Sequence, residues 1–525
     1  MSELSVKFLF GKELASECTY ALSLKRRRVY YELENNYINA SDVCNKVGIV
    51  RGLRNTGKTI ILLQLAGRRE FVLQSAYTTL GYRNEADVAS LCKEIDTLYR
   101  KHGIKYFYID EVTWAEGFVD MAADFSDSWA TGNTVKIVLS GTDSLGFAFA
   151  AQHELHHRYR EVLTTYMGYA EYHDLLGGNV IDFIRSGGVF WGNDTSSAIL
   201  ADYLNTSVVA NIYNSIHNVS RIVPAATQLI GLTEDGLYSL CYAICKYAVL
   251  SMVCEKAERI WGDSFSKAIN DAFGQSRRAI REAIGDNTFS LTMHEKQIIL
   301  SALGKSELYA GVFSMSQINA AITLMKMCGF LCEVGSYSEQ GPDSDDTELV
   351  FAQSGVAREF VRMVLHGIAM SDVFPASNIS AILQAIEENT DGMILESACM
   401  SAFIRKVELI GTGVKLFKYR AFDGSHEIDI VALDYRTGVM HLFEVKRSDG
   451  KPDETGRVDY VEDFARRHLT VETCTQPLME RFKPSSMTRT VLFRGEDSDK
   501  TIDGHIVSYR NIAKYLQQLE DGLVL

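Results

Sequence analysis

Residues 47–66 read VGIVRGLRNTGKTIILLQLA, and how this stretch folds decides the rest. An apolar strand over 47–52 runs into Gly52-x4-Gly57-Lys58-Thr59 and then into an apolar helix, the order that a phosphate-binding loop requires. The backbone amides of Gly52, Asn55, Thr56, Gly57, Lys58, Thr59 and Ile60, together with the helix N-terminus, would cradle phosphate oxygens. Lys58 would reach the β- and γ-phosphates, and the Thr59 hydroxyl would ligate Mg²⁺. The cofactors expected are therefore ATP and Mg²⁺.

A second signal lies downstream. Residues 104–114, IKYFYIDEVTW, form an apolar strand ending in Asp110 and Glu111. That places one carboxylate near the metal and the next near an attacking water, as a general base. Residues 135–144, VKIVLSGTDS, end in hydroxyl side chains, so Ser140 or Thr142 is expected to sense the γ-phosphate, as a polar residue does in AAA-type ATPases. With a further strand in 69–78 and a helical stretch over 85–101, the pattern predicts a parallel sheet flanked by helices. Ligands of such sheets sit at the carboxyl ends of the strands.

Residues 157–177, HRYREVLTTYMGYAEYHDLLG, and 181–190, IDFIRSGGVF, resemble a prokaryotic family that couples an AAA-type ATPase domain to a C-terminal domain with a restriction-endonuclease-like core. Arg158 matches the family's arginine, Tyr169 and Glu171 its aromatic and acidic positions, and Gly187-Gly188 its glycine pair. His157 replaces a glycine and YMG replaces PLS, which marks a divergent member. The resemblance makes Arg158 a candidate phosphate sensor, within the chain or across a subunit interface. It resumes at 391–404, DGMILESACMSAFI, and in the paired strands GSHEIDIVALD and GVMHLFEVKRSD.

Those strands carry their own chemistry. Residues two apart on a strand share a face, so Glu427 and Asp429 point together, as do Glu444 and Lys446. YRTG at 435–438 is a plausible hairpin turn. Folding there brings Asp429, Glu444 and Lys446 together, with Glu396 supplied by the preceding helix, which is the PD-(D/E)xK constellation. Glu396, Asp429 and Glu444 would hold Mg²⁺ beside a scissile phosphate, and Lys446 would stabilise charge or orient water.

Between these ends, residues 191–290 read as a helical lid. Residues 291–375 give helix, helix, strand and strand, the order of a winged helix, with the polar segment 335–347 as wing or loop. Its second helix offers only Lys326 as a cation, which favours packing or protein binding over a DNA groove. The apolar run 237–254 approaches membrane-span length but holds Lys246, so a buried helix is expected. The basic clusters Lys25–Arg28, 275–282 and 464–468 read as solvated faces.

The 525 residues thus divide into an ATPase domain (1–190), lid (191–290), winged-helix-like domain (291–375) and nuclease-like domain (376–525). The fold class expected is α/β. A net charge of −14 argues against a protein that coats nucleic acid, but residues 391–525 hold 19 basic and 22 acidic side chains, and this piece could approach DNA. The pairs Cys241/Cys245 and Cys328/Cys332 lack the spacing of zinc sites and read as reduced, buried thiols. The first ten residues show no secretory pattern, so a cytoplasmic location is expected, without membrane insertion. Two functions fit: an ATP-driven enzyme gating a metal-dependent nuclease, or an ATP-controlled switch whose C-terminal domain binds a protein partner or a second copy without cleaving.

Overall fold

The computed structural model describes residues 7–40, 47–81, 86–127, 135–156, 158–188, 197–253, 313–338, 346–369, 379–411, 413–421, 426–449 and 461–524. They form two compact units. One comprises Met1–Met167, Val189–Cys241 and Phe313–Phe330, the other Gly168–Gly188, Tyr242–Val312 and Leu331–Leu525.

In the first unit the apolar runs become a six-stranded sheet. Its strands are β1 (Leu9–Phe10), β2 (Val47–Arg51), β3 (Ser75–Thr79), β4 (Tyr106–Asp110), β5 (Lys136–Gly141) and β6 (Tyr159–Leu163), in the order β1-β3-β4-β5-β2-β6. All pairings are parallel except β1 with β3. The inner strands are apolar on both faces because helices cover both sides. Leu14, Tyr30, Ile61 and Leu65 pack on one face, and Leu91, Ile95, Phe118 and Phe147 on the other. The helix Val88–His102 starts on Asp87, whose carboxylate accepts from the Ser90 amide, and stops at Gly103 in a left-handed conformation. The strand expected over 69–78 is shorter, because residues 72–74 close a single 3₁₀ turn before it.

The second unit holds an eight-stranded sheet. Its strands are β7 (Leu331–Ser338), β8 (Asp346–Phe351), β9 (Val414–Arg420), β10 (Glu427–Asp434), β11 (Val439–Val445), β12 (Ser486–Phe493), β13 (Ser498–Ile502) and β14 (His505–Asn511), in the order β13-β14-β12-β11-β10-β9-β7-β8. β10 and β11 form the antiparallel hairpin expected around 435–438. The register of β10 against β9 shifts between Ile428 and Val431, a one-residue bulge at Asp429 and Ile430. Bulges bend a strand and re-aim its side chains, and they recur beside active sites. The helix Ile379–Ile410 brings Phe403 onto Phe443 and Tyr515.

The region between the ends departs from the expected division. The helix Met315–Met327 lies in the first unit, whereas β7 and β8, expected as the two strands of a winged helix, join β9 through a parallel ladder and become the edge of the second sheet. A strand pair that finds a neighbour of its own polarity extends the sheet, and sequence spacing does not reveal that partner. The first expected helix of that region, 291–304, and lid residues 254–290 lie outside the described residues. The described lid residues, 197–253, are helical, and the apolar run forms the buried helix Glu234–Val253. Among the described residues no helix is long and apolar enough to cross a membrane. Cys241, Cys245 and Cys328 are buried free thiols and Cys332 is a partly exposed one.

Candidate functional site

The loop after β2 closes around itself. Asn55 and Gly57 take positive φ, 57° and 83°, and a Cβ on Gly52 would lie 2.3 Å from the Thr164 hydroxyl. Only glycine fits there. Lys58 is buried, and its ammonium donates to the carbonyls of Gly52 and Leu53 at 3.0 Å each. Burial lowers its pKa, opposed by Glu111 and Asp110. An ammonium resting on two carbonyls is a cation awaiting a better acceptor, which phosphate supplies. Ile60 lies in the first helical turn with its side chain against the apolar core, so it offers the cradle only its amide.

Asp110 ends β4 and is 1% exposed. Its Oδ2 accepts from the Thr59 hydroxyl at 2.6 Å and the Tyr77 hydroxyl at 3.2 Å; its Oδ1 accepts from the Glu111 amide at 3.1 Å and from the Ser140 hydroxyl. Thr59 and Asp110, side by side at the mouth of the cradle, fit Mg²⁺ next to a phosphate. Glu111 has φ 52°, and its two carboxylate oxygens accept from the amide and hydroxyl of Thr142 at 3.1 and 2.9 Å. The expected sensors are therefore engaged with the two acids, Ser140 with Asp110 and Thr142 with Glu111. Thr142 is itself anchored, since its carbonyl accepts from the Asn211 amide group at 2.8 Å.

Arg158 is not at this site. It precedes β6 at the level of Val47, where its carbonyl accepts from the Val47 amide, and its guanidinium meets the Ser126 hydroxyl. In a parallel sheet that is the amino end of the strands, opposite the cradle. The arginine that does reach the loop is Arg27, from the cluster read as a solvated face. It is 4% exposed and donates to the carbonyls of Thr56 at 2.6 Å, Thr164 at 2.8 Å and Tyr166 at 3.0 Å.

The remaining residues of the resemblance serve packing in the second unit. Tyr169 lies edge-on to Phe183, Glu171 is buried, and a Cβ on Gly187 would meet the Phe183 carbonyl at 2.4 Å. Arg185, from the same segment, donates to Asp391 at 2.8 Å, and Arg358 and Arg447 approach that buried carboxylate at 3.7 and 3.8 Å.

A second acidic site lies in this unit. Glu396, from the helix Ile379–Ile410, meets Glu427 and Asp429 of β10, with ligand oxygens all within 4.8 Å of one another. Lys418 of β9 pairs with Glu396 and, at 3.1 Å, with Glu348; Arg420 pairs with Glu427 at 3.1 Å. Asp429 Oδ2 accepts from the Val445 amide at 2.7 Å. Lys446 lies 2.5 Å from Glu444 and 3.9 Å from Asp429, over the face of Phe464. The expected ligand set of Glu396, Asp429 and Glu444 is thus redistributed. Glu427 joins Glu396 and Asp429 in the carboxylate triad because it alternates with Asp429, and Glu444 lies beside Lys446 and His468. Lys418, Glu348, Arg420 and His468 were not anticipated. Only the alternation of Lys418 and Arg420 along β9 hints at the first and third.

Burial, then repulsion from Glu444 and Glu396, holds the Asp429 pKa well above the usual carboxylate range. Burial also raises Glu396. Glu427 is lowered despite burial, by Arg420 and Lys418. Lys446 is raised despite burial, by Glu444 and Asp429. A divalent cation fits this donor set, which is all carboxylate oxygen at the triad.

Residues 44–173 match the family model described as an AAA domain. Among solved structures the chain is similar to the Walker-type ATPase of Pyrococcus abyssi, at 15% identity over 64% of this chain and 98% of that one, TM-score 0.28. It is also similar to Cdc6p of Pyrobaculum aerophilum (10% identity, 69% and 99%, TM-score 0.25) and to the Aeropyrum pernix ORC1 protein in complex with DNA (13%, 67% and 91%, TM-score 0.23). Overlays this loose add nothing to the assignment, which rests on the domain match and the geometry. No curated protein matches the chain.

Two outcomes follow from this geometry. Arg27→Met removes three charge-assisted bonds from the loop and is expected to lower stability by roughly 2–4 kcal/mol. Arg27→Lys does not restore it, because a point charge cannot span three carbonyls; urea unfolding of both variants with and without ATP measures this. In the second unit the sign is opposite. A carboxyl with a raised folded pKa contributes stability that is present at low pH and lost as pH rises through that pKa. Asp429→Asn still accepts from the Val445 amide, so in EDTA it is expected to be more stable than wild type at pH 8. The gain shrinks at pH 5. Thermal unfolding across that range checks the sign, and equal midpoints at pH 8 would show Asp429 to be unstrained.

Proposed function

We propose that this chain is an ATP-binding and ATP-hydrolysing AAA-type protein whose second unit is a metal-dependent, restriction-endonuclease-like phosphodiesterase acting on nucleic acid. An AAA-type P-loop ATPase is supported by the domain match over residues 44–173 and by the cradle of Gly52, Gly57, Lys58 and Thr59. The observation that carries the finer reading is the triad of half-buried Glu396 and Glu427 with buried Asp429, and Lys446 just beyond the end of β11.

At the P-loop, Lys58 exchanges its two carbonyls for phosphate oxygens, and Glu111 gives up Thr142 to accept a proton from the attacking water. Mg²⁺ held by Thr59 and Asp110 would neutralise charge on the phosphates. Helical residues 197–253 take the lid role, with Asn211 tying that segment to the Thr142 carbonyl. In the second unit a divalent ion would activate water and offset charge at the scissile phosphate. Lys446 supplies a cation on the same face, and Lys418 and Arg420 hold Glu396 and Glu427 in place.

One observation favours the second reading, a switch whose C-terminal domain binds a partner without cleaving. Lys418 and Lys446 already serve as counter-charges to Glu396 and Glu444, so the cluster has internal ion pairs. The two readings separate in one set of assays.

Glu111→Gln is expected to bind ATP normally and turn it over about 10²-fold more slowly or worse, because shape is kept and the base is lost. Lys58→Ala is expected to lose nucleotide-induced thermal stabilisation. Incubation with single- and double-stranded DNA and RNA, with ATP and Mg²⁺ or Mn²⁺, is expected to give cleavage by wild type and none by Glu444→Ala, while ATP hydrolysis by that variant persists. Intact substrates throughout would leave the partner-binding switch.

A further inference from the structure

His468 sits in a π-helical turn, Ala465–Thr470, that continues the short helix Val461–Phe464. Single π turns inside helices are frequent at functional sites, because the extra residue turns a side chain toward a place the regular helix would miss. Here the turn directs the His468 ring onto Glu444. Its Nδ1 lies 3.3 Å from Glu444 Oε1. The two atoms are close, yet no hydrogen bond joins them; the charged neighbour of Glu444 Oε1 is the Lys446 ammonium at 2.5 Å. Glu444 is fully buried, and neither of its oxygens accepts a backbone or hydroxyl hydrogen bond.

A contact too misaligned for a hydrogen bond has another use. Two adjacent ligands of one octahedral ion stand about 3 Å apart when each bond is about 2.1 Å. We propose that His468 Nδ1 and Glu444 Oε1 are ligands of one divalent metal, and that this nitrogen makes the site prefer Mn²⁺ to Mg²⁺. Imidazole suits transition metals, whereas Mg²⁺ favours oxygen ligands and gives up its water reluctantly. In the metal-free chain Lys446 supplies the charge at that oxygen, with its ammonium 4.3 Å from the centre of the Phe464 ring. The ring also lies edge-on to His468, centroids 5.7 Å apart, so Phe464 steadies both groups. The inference rests on the nuclease-like reading of this unit and adds a ligand and a metal preference to it.

The test uses the full chain, stripped of metal and free of nucleotide, titrated with MnCl₂ and followed by electron paramagnetic resonance. Pulsed measurements on the bound ion are expected to show ¹⁴N coupling from an imidazole. His468→Gln should lose the coupling and bind Mn²⁺ roughly tenfold more weakly or worse, with a smaller change for Mg²⁺, so the Mn²⁺ to Mg²⁺ affinity ratio falls. His468→Glu, which returns an oxygen ligand, should bind Mn²⁺ without the coupling and serves if the glutamine variant is unstable. His426→Gln is the control, since that ring lies 6.3 Å from His468, and it should retain the coupling. Mn²⁺ bound by wild type without ¹⁴N coupling overturns the His468 assignment while leaving a carboxylate metal site. Coupling that survives His468→Gln places the nitrogen elsewhere and overturns it too. Failure to bind Mn²⁺ at all removes both the ligand and the nuclease-like reading.

Discussion

The first unit is organised around one buried carboxylate. Asp110 receives donors from the helix after the P-loop, from β3, from β5 and from its own chain, through Thr59, Tyr77, Ser140 and the Glu111 amide. A buried ion is tolerated only when its lone pairs are filled, and here four donors from separate elements fill them. The donors of β3 and β5 reach Asp110 because these strands flank β4 in parallel, so their carboxyl ends lie on one side of the sheet. Removing Asp110 would leave three hydroxyls facing one another in the interior. Mg²⁺ at this place would be held by Thr59 and Asp110 and would neutralise charge on a phosphate.

The carboxylates of the second unit are treated differently. Glu348, Glu396, Glu427, Asp429 and Glu444 share Lys418, Arg420 and Lys446. With every group ionised the cluster would carry two excess negative charges, and burial, then repulsion from Glu444 and Glu396, raises the Asp429 pKa. Well-packed apolar side chains of similar volume would often be more stable than such a network. Stability therefore does not explain the arrangement. A cation of charge two would, because it balances the excess and allows Asp429 to ionise.

What the sequence revealed and what it concealed divide by the range of the contacts. The P-loop, the acidic pair at 110 and 111 and the β10–β11 hairpin are local patterns, and the structure forms each of them. Arg27 was hidden because its three acceptors lie 29, 137 and 139 residues away. A run of four cations looks solvated unless one knows that a loop of carbonyls awaits one member. Arg158 shows the complementary case: its neighbourhood in sequence resembles a motif, while strand polarity sets it at the end of the sheet opposite its own chain's cradle. His468 lay within another basic run, and nothing in FARRH announces a π turn. The fate of the β7–β8 pair was hidden for the same reason as Arg27: β7 pairs with β9, and Gly335 lies opposite Phe417, 82 residues on.

The contacts of Arg27 also tie the phosphate cradle to the chain's exit from the first unit. β6 ends at Leu163, and the next residues lead to Met167, where that unit's first segment ends. Thr164 lies against Gly52 and shares a hydrogen bond with Thr56, and Thr165 accepts from the Leu53 amide. Arg27 then clamps Thr56, Thr164 and Tyr166 through a rigid guanidinium that cannot follow one carbonyl without disturbing the others. Lys58 donates to the carbonyls of Gly52 and Leu53, the same two residues that touch Thr164 and Thr165. The cradle and the segment 164–166 are thus joined through hydrogen bonds and van der Waals contact alone, so any phosphate that drew Lys58 away would remove two of the bonds at that seam.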